Sequence, residues 1–170
     1  DGIDKLILGT DGQGSVFSDI QNEIKRHKAN GILIPVCSKN DFYDVEKVFK
    51  KHPSMSISFD DVVSFKVNWD EKHINVHELS RELGLGLESF VFLDDNPLER
   101  EKMNTFCPDV KTISLPEANH LWPSLVRNYP LLNKLKVSES DIGKTSQYKA
   151  RAQFETGKSL STNINKYLSS

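Results

Sequence analysis

Short apolar runs alternate with amphipathic stretches along most of this chain, and no other feature constrains its fold as tightly. VFSDIQNEIKRHK (16–28) carries Phe17, Ile20 and Ile24 at helical spacing behind the Gly/Ser stretch DGQGS. GILIPV (31–36) then reads as an interior strand, although Pro35 counts against it because proline has no N–H to give a sheet ladder. A helix opens at CSKND with Phe42, Val45 and Phe49 on one face, Asp41 as a candidate N-cap and Pro53 beyond its end. VVSFKVN (62–68) is strand-like, and DEKHINVHELSREL (70–83) is helical with Gly84 as its stop. FVFLD (90–94) is a strand, and NPLEREKMNTF (96–106) is a helix with Pro97 in its first turn. VKTISL (110–115) is a further short strand, followed by PEANHLWPSLV. The alternation predicts an α/β class domain, three-layered and Rossmann-like with a mostly parallel sheet, over residues 1–130. Residues 131–170 are polar, with two possible helical pieces, and read as a peripheral helix and linker.

Composition narrows the class of function. The 22 basic and 24 acidic residues nearly cancel, so no strongly basic face is expected and nucleic acid is a poor partner. No apolar run approaches the ~20 residues of a membrane-spanning helix, and no signal peptide precedes Asp1. The two cysteines, Cys37 and Cys107, have no CxxC spacing, which argues against a thiolate zinc site or a disulfide framework. A reducing cytoplasm is the expected location.

In a parallel sheet, ligands bind at the C-terminal strand ends. Two strand ends here are polar: Cys37-Ser38-Lys39-Asn40-Asp41 after ILIPV, and Asp94-Asp95-Asn96 after FVFL, with Lys72 near the start of a helix between them. Adjacent carboxylates repel unless a cation or donor array holds them, and oxygen donors suit a hard cation such as Mg²⁺. Ser38, Lys39, Asn40 and Lys72 are the candidate phosphate-binding residues. A hydroxyl and backbone N–H groups would receive phosphoryl oxygens, and the lysine would offset their charge. Taken singly, each residue has an ordinary use: Ser38 in a turn, Asp41 as a cap, Lys72 in solvent, the acid pair as a loop. The ordered set favours a site for a small phosphorylated substrate.

That set resembles the haloacid dehalogenase superfamily of phosphatases and phosphotransferases, and most closely its FkbH-like members. The runs GILIPVCSKND, VFKKHPSM, FDDVVSFKVNWDEKHINV, LGLGLESFVFLDDNPLERE and SLPE carry the resemblance, roughly from Asp1 to Arg151. The sequence shows no large cap domain. Catalytic roles fall to Ser38, which would hydrogen-bond the transferring phosphoryl group, and Lys72, which would steady the nucleophile. Asp94 would ligate Mg²⁺ directly, with Asp95 beside it and Asn96 supporting them from behind. In the resembled proteins a glyceryl unit from a phosphorylated three-carbon acid passes to the thiol of an acyl carrier protein; a plain phosphatase and a non-catalytic docking domain are the alternatives.

One feature departs from the pattern. The superfamily's nucleophile lies in a D-x-D motif at the end of the first strand, and this chain contains no D-x-D; DGID (Asp1 to Asp4) has the wrong spacing. The expectation is that this strand lies upstream and that these 170 residues alone hydrolyse no ester. Cys37 belongs to the strand carrying Ser38 and is not the acyl-accepting cysteine of such proteins. His73 and His77 lack the rest of HExxH and read as a surface pair. ETGKS is not a P-loop, because Ala152 stands where the first glycine is required. Trp69 and Trp122 read as core or rim packing.

Overall fold

The computed structural model describes Ile3 and residues 5–9, 20–51, 55–133 and 144–169, the last helix with side chains through Thr156. Its strands are β1 (Lys5–Gly9), β2 (Pro35–Lys39), β3 (Ser64–Asn68), β4 (Phe90–Asp94) and β5 (Lys111–Thr112). They form one parallel sheet in the order β3-β2-β1-β4-β5. The helices are α1 (Gln21–Ala29), α2 (Phe42–Lys51), α3 (Lys72–Leu83), α4 (Pro97–Phe106), α5 (Trp122–Arg127) and α6 (Lys144–Ser169). This is the α/β, Rossmann-like architecture that the alternation predicts.

Strand side chains alternate between the two faces, and the core divides accordingly. Leu6, Leu8, Val36, Val91 and Leu93 pack with Ile20 and Ile24 of α1 and with Trp122 and Val126 of α5. Ile7, Cys37, Phe90 and Phe92 pack with Val76, Leu79 and Leu83 of α3 and Met103 of α4. A strand covered on both faces has little room for polar residues, which is why FVFL and LIL are continuous apolar runs. Phe92 is fully buried, and Phe92→Ala is expected to cost about 3–5 kcal/mol.

Several elements differ from the sequence expectations. The central strand β1 lies at KLILG, which the sequence reading does not assign as a strand. β2 starts at Pro35 and runs through Lys39, so Cys37, Ser38 and Lys39 lie inside the strand instead of opening a helix. Proline is tolerated because it occupies the first strand position, where no ladder N–H is needed. β5 shrinks to two residues. Trp122 is core, its Nε1–H donating to the Pro116 carbonyl at 2.7 Å, but Trp69 is 70% exposed on the turn after β3. Within the polar C-terminal stretch, residues Lys144–Ser169 form one helix, α6. Its Ala152 is buried and Tyr148 packs on the α3-side core. Among its described side chains a narrow apolar stripe faces the core, and the others are free to be polar. Asp1, Asp4, the DGQGS stretch, Phe17, Pro53 and residues 134–143 lie outside the described residues.

Candidate functional site

The chain builds outward from β1 to β2 to β3, then returns to the other side of β1 with β4. The order therefore reverses between β1 and β4, and a parallel sheet opens a crevice at the C-terminal ends of such a pair. Gly9 ends β1 and is level with Asp94, the last residue of β4, and with Cys37 of β2. A Cβ on Gly9 would collide with Asp94 Oδ2 and lie 2.9 Å from Asp94 Cγ and Phe92 Cζ. Glycine leaves the space over which the Asp94 carboxylate leans.

Asp94 is fully buried, and its Oδ2 accepts a 2.8 Å bond from the Lys72 ammonium, which is 2% exposed. Lys72 is the first residue of α3, so the helix start delivers its side chain from above the sheet. Asp94 Oδ1 accepts from the Asn96 N–H at 2.9 Å, and the Arg100 guanidinium donates to the Asp94 carbonyl at 2.9 Å and, at 3.4 Å, to that of Leu115. Two opposite charges removed from water at one strand end are costly to assemble, and such pairs seldom serve stability alone.

Ser38 lies on the same edge, one residue past the level of Gly9. Its Oγ is buried with no hydrogen-bond partner among the described residues. Strand alternation sends Ser38 toward the α1 and α5 face and Asp94 toward the α3 face; no described bond joins them. The β2 residue that faces the pair is Cys37. Burial pushes its thiol up to about 12, against the opposing pull of Lys72 and Lys66. A neutral thiol of this kind is no nucleophile.

The other predicted residues have definite partners. Lys39 donates to Glu71 Oε2 at 3.0 Å and lies 3.6 Å from Glu99 Oε1. Burial works to lower its ammonium pKa, but Glu71 and Glu99 outweigh burial and raise it. Asn40 Oδ1 accepts from the Asp41 N–H at 2.8 Å, and Asp41 in turn accepts from Trp69 Nε1 at 3.3 Å. Asn96 caps α4, accepting from the Leu98 N–H at 3.0 Å. Asp95 is half-buried beside Asp94. His73 stacks on Phe106 with ring centroids 4.4 Å apart, which suits the surface-pair reading. Glu71, Glu99, Arg100 and Lys102 are rim residues that sequence reasoning missed; the only local signal was their spacing within DEK and NPLEREK. A cavity of about 700 Å³ lies elsewhere, between β3 and α6, and none of these residues lines it.

Asp94 and Asp95 are carboxylates, the oxygen donors that Mg²⁺ favours. Each Asp94 oxygen accepts one of the bonds above. No group of three or more His, Cys, Asp or Glu converges among the described residues. Mg²⁺ is commonly held by one or two carboxylates with water and phosphate oxygens, so the pair fits part of its shell.

No protein-family model and no curated protein matches the sequence. Among solved structures, the N-terminal part of the protein BF1531 from Bacteroides fragilis, containing a phosphatase domain complexed with Mg, matches with a TM-score of 0.73 and 30% sequence identity. The chain is similar in fold to a phosphatase-containing structure. The match covers 79% of this chain and 42% of that one, so this chain spans less than half of its neighbour's length. No described helix is long and apolar enough to cross a membrane.

Proposed function

We propose that this chain is the phosphoryl-binding core of a Mg²⁺-dependent phosphatase or phosphotransferase of the haloacid dehalogenase type. The observation that carries the reading is the buried Lys72–Asp94 pair at the point where strand order reverses, with the unpartnered Ser38 hydroxyl on the same edge. The phosphatase-domain neighbour supports it. A phosphoryl group seated over the strand ends would meet Ser38 from one face of the sheet and Lys72 from the other, with Gly9 leaving the space beside Asp94 free of a side chain. There Ser38 donates its hydroxyl proton to a phosphoryl oxygen, and the Lys72 ammonium offsets negative charge on the others. Asp94 and Asp95 would hold Mg²⁺, which when bound neutralises charge on the phosphoryl oxygens.

The described residues place no carboxylate at the end of β1, where Gly9 stands. Lys72 and Ser38 bind and orient but do not attack, so the 170-residue chain is expected to bind phosphate without releasing it from esters. The finer proposal rests on the FkbH-like runs: in the complete reaction a glyceryl unit reaches an acyl carrier protein thiol. The alternative substrate is another small phosphorylated metabolite. Two measurements test the reading. Calorimetric Mg²⁺ titration in the presence of inorganic phosphate should show binding that Asp94→Asn loses; equal affinity would sink the metal assignment. Phosphate release from an aryl phosphate should be absent with or without EDTA. Metal-dependent release abolished by Asp94→Asn would mean that a nucleophile lies within these residues.

A further inference from the structure

Four charged side chains on the rim form a connected chain. Lys102 of α4 donates to Glu71 Oε2 at 3.2 Å, Lys39 of β2 donates to the same oxygen at 3.0 Å, and Lys39 also reaches Glu99 of α4 at 3.6 Å. Site residues lie close in sequence to the members of this chain. Ser38 precedes Lys39, Lys72 follows Glu71, and Asp94 and Asp95 lead into α4. Glu71 is the N-cap residue of α3, yet its side chain makes no cap hydrogen bond to its own helix. Its carboxylate is turned to two lysines on two other elements.

We propose that Glu71 is a positioning residue for Lys72, its bonds to Lys39 and Lys102 fixing the start of α3 so that the Lys72 ammonium stays on Asp94. It rests on the proposed function only for what the held lysine does, not for the holding itself. The physical need is plain. Lysine has a long side chain with high rotamer entropy, and its ammonium meets Asp94 only if the helix start is fixed. Further along, α3 is anchored by Val76, Leu79 and Leu83 in the core. Its first turn has less apolar support: Ile74 is 48% exposed, and Asn75 is tied to β3 by reciprocal amide bonds with Asn68 at 2.8 and 3.1 Å. On the other side His73 stacks on Phe106 of α4, and Glu71 adds a charged tie to α4 and the tie to β2. The bonds from Lys39 and Lys102 lower its carboxyl pKa, so the tie remains charged in mildly acidic solution. Being 40% exposed, it contributes little to stability, and its effect is on geometry.

The experiment follows the lysine ammonium signals by nitrogen-15 NMR in the whole chain, with Lys72→Met assigning the Lys72 peak. A buried, paired ammonium exchanges slowly with water and gives a sharp peak. Glu71→Gln keeps the shape and removes the charge, and should speed Lys72 exchange about fivefold, with Glu71→Asp partly restoring it. Lys102→Gln, which removes one of the two ties, should move the peak less and in the same direction. Salt on the order of 1 M should carry the unaltered protein toward the Glu71→Gln behaviour and leave that variant unchanged. A purely structural role would alter unfolding and leave the native Lys72 peak in place. Lys72 exchange unchanged in both Glu71→Gln and Lys102→Gln would overturn the proposal, as would fast exchange in the unaltered protein. If phosphate fails to bind while the Lys72 peak responds as described, the phosphoryl reading falls and the positioning role stands.

Discussion

Two ion pairs in this protein look alike on paper and differ in kind. Glu23 of α1 and Arg127 of α5 form a two-bond fork, at 2.7 and 3.0 Å, whose arginine is half exposed. Beside it, buried His27 meets the Val126 carbonyl through Nε2 at 2.7 Å, and that carbonyl can only accept, so Nε2 carries the proton. The fork ties two helices on one flank, where the buried His27 Nδ1 has no hydrogen-bond partner among the described residues. The Lys72–Asp94 pair is enclosed completely, at the mouth of the sheet, and the nearby Ser38 hydroxyl leaves a donor and an acceptor unmade. The scaffold pair opens to water on its arginine side, whereas the strand-end pair has no such side. A binding site holds charge out of water with a polar group in reserve, a costly arrangement unless a ligand completes it.

Breaking the enclosed pair should give the largest effect. Lys72→Met takes the ammonium away from the buried Asp94 carboxylate and should lower unfolding free energy by about 3–5 kcal/mol in urea titration. Lys72→Met with Asp94→Leu should recover most of that while leaving no phosphate or Mg²⁺ affinity; a double variant as unstable as the single would make the pair scaffold after all. Next is the alkaline limb. The folded Cys37 thiol stays neutral up to about 12, whereas in the unfolded chain it ionises near 9.0. Its contribution is therefore whole below the lower value and lost as pH rises between the two. At about pH 11 the loss should be on the order of 2 kcal/mol and should vanish in Cys37→Ala.

A smaller effect of opposite sign comes from Ser38→Ala. Removing an unpartnered buried hydroxyl should stabilise the chain by about 1 kcal/mol in thermal melts; destabilisation would mean that the hydroxyl already has a structural partner. The smallest effect belongs to the flank. The Arg127 hydrogen bond outweighs burial and holds the Glu23 carboxyl below its usual 4.5. That contribution is present above 4.5 and is lost as pH falls through the lowered value, so Arg127→Gln should slightly lower stability at neutral and alkaline pH, leave it unchanged at the acid end and so flatten the acid limb between them.

The fold was legible where the period of the pattern was unambiguous. FVFLD is β4 residue for residue, and the helix ended by Gly84 stops there with the glycine at φ 67°. The central strand was not legible, because a run as short as KLILG has no periodicity to separate strand from helix or loop. Pro35 misled in the other direction, since proline excludes only positions whose N–H is needed. In the site, Ser38, Lys72 and Asp94 were each legible as a polar residue at a strand or helix end. Their division between two faces of the sheet was not, because that depends on where β2 begins. Nor was the rim chain through Glu71, whose partners lie 32 and 31 residues away. Contacts between distant elements leave no local pattern.

The most direct measurement is a titration of inorganic phosphate into the whole chain in the presence of Mg²⁺, followed by phosphorus-31 NMR and compared with Ser38→Ala. Binding should be saturable, should disappear with EDTA and should weaken about tenfold in the variant, as expected for one hydrogen bond to a charged group. Phosphate that fails to saturate, or that binds Ser38→Ala as tightly as the unaltered chain, would contradict a phosphoryl site at this sheet edge.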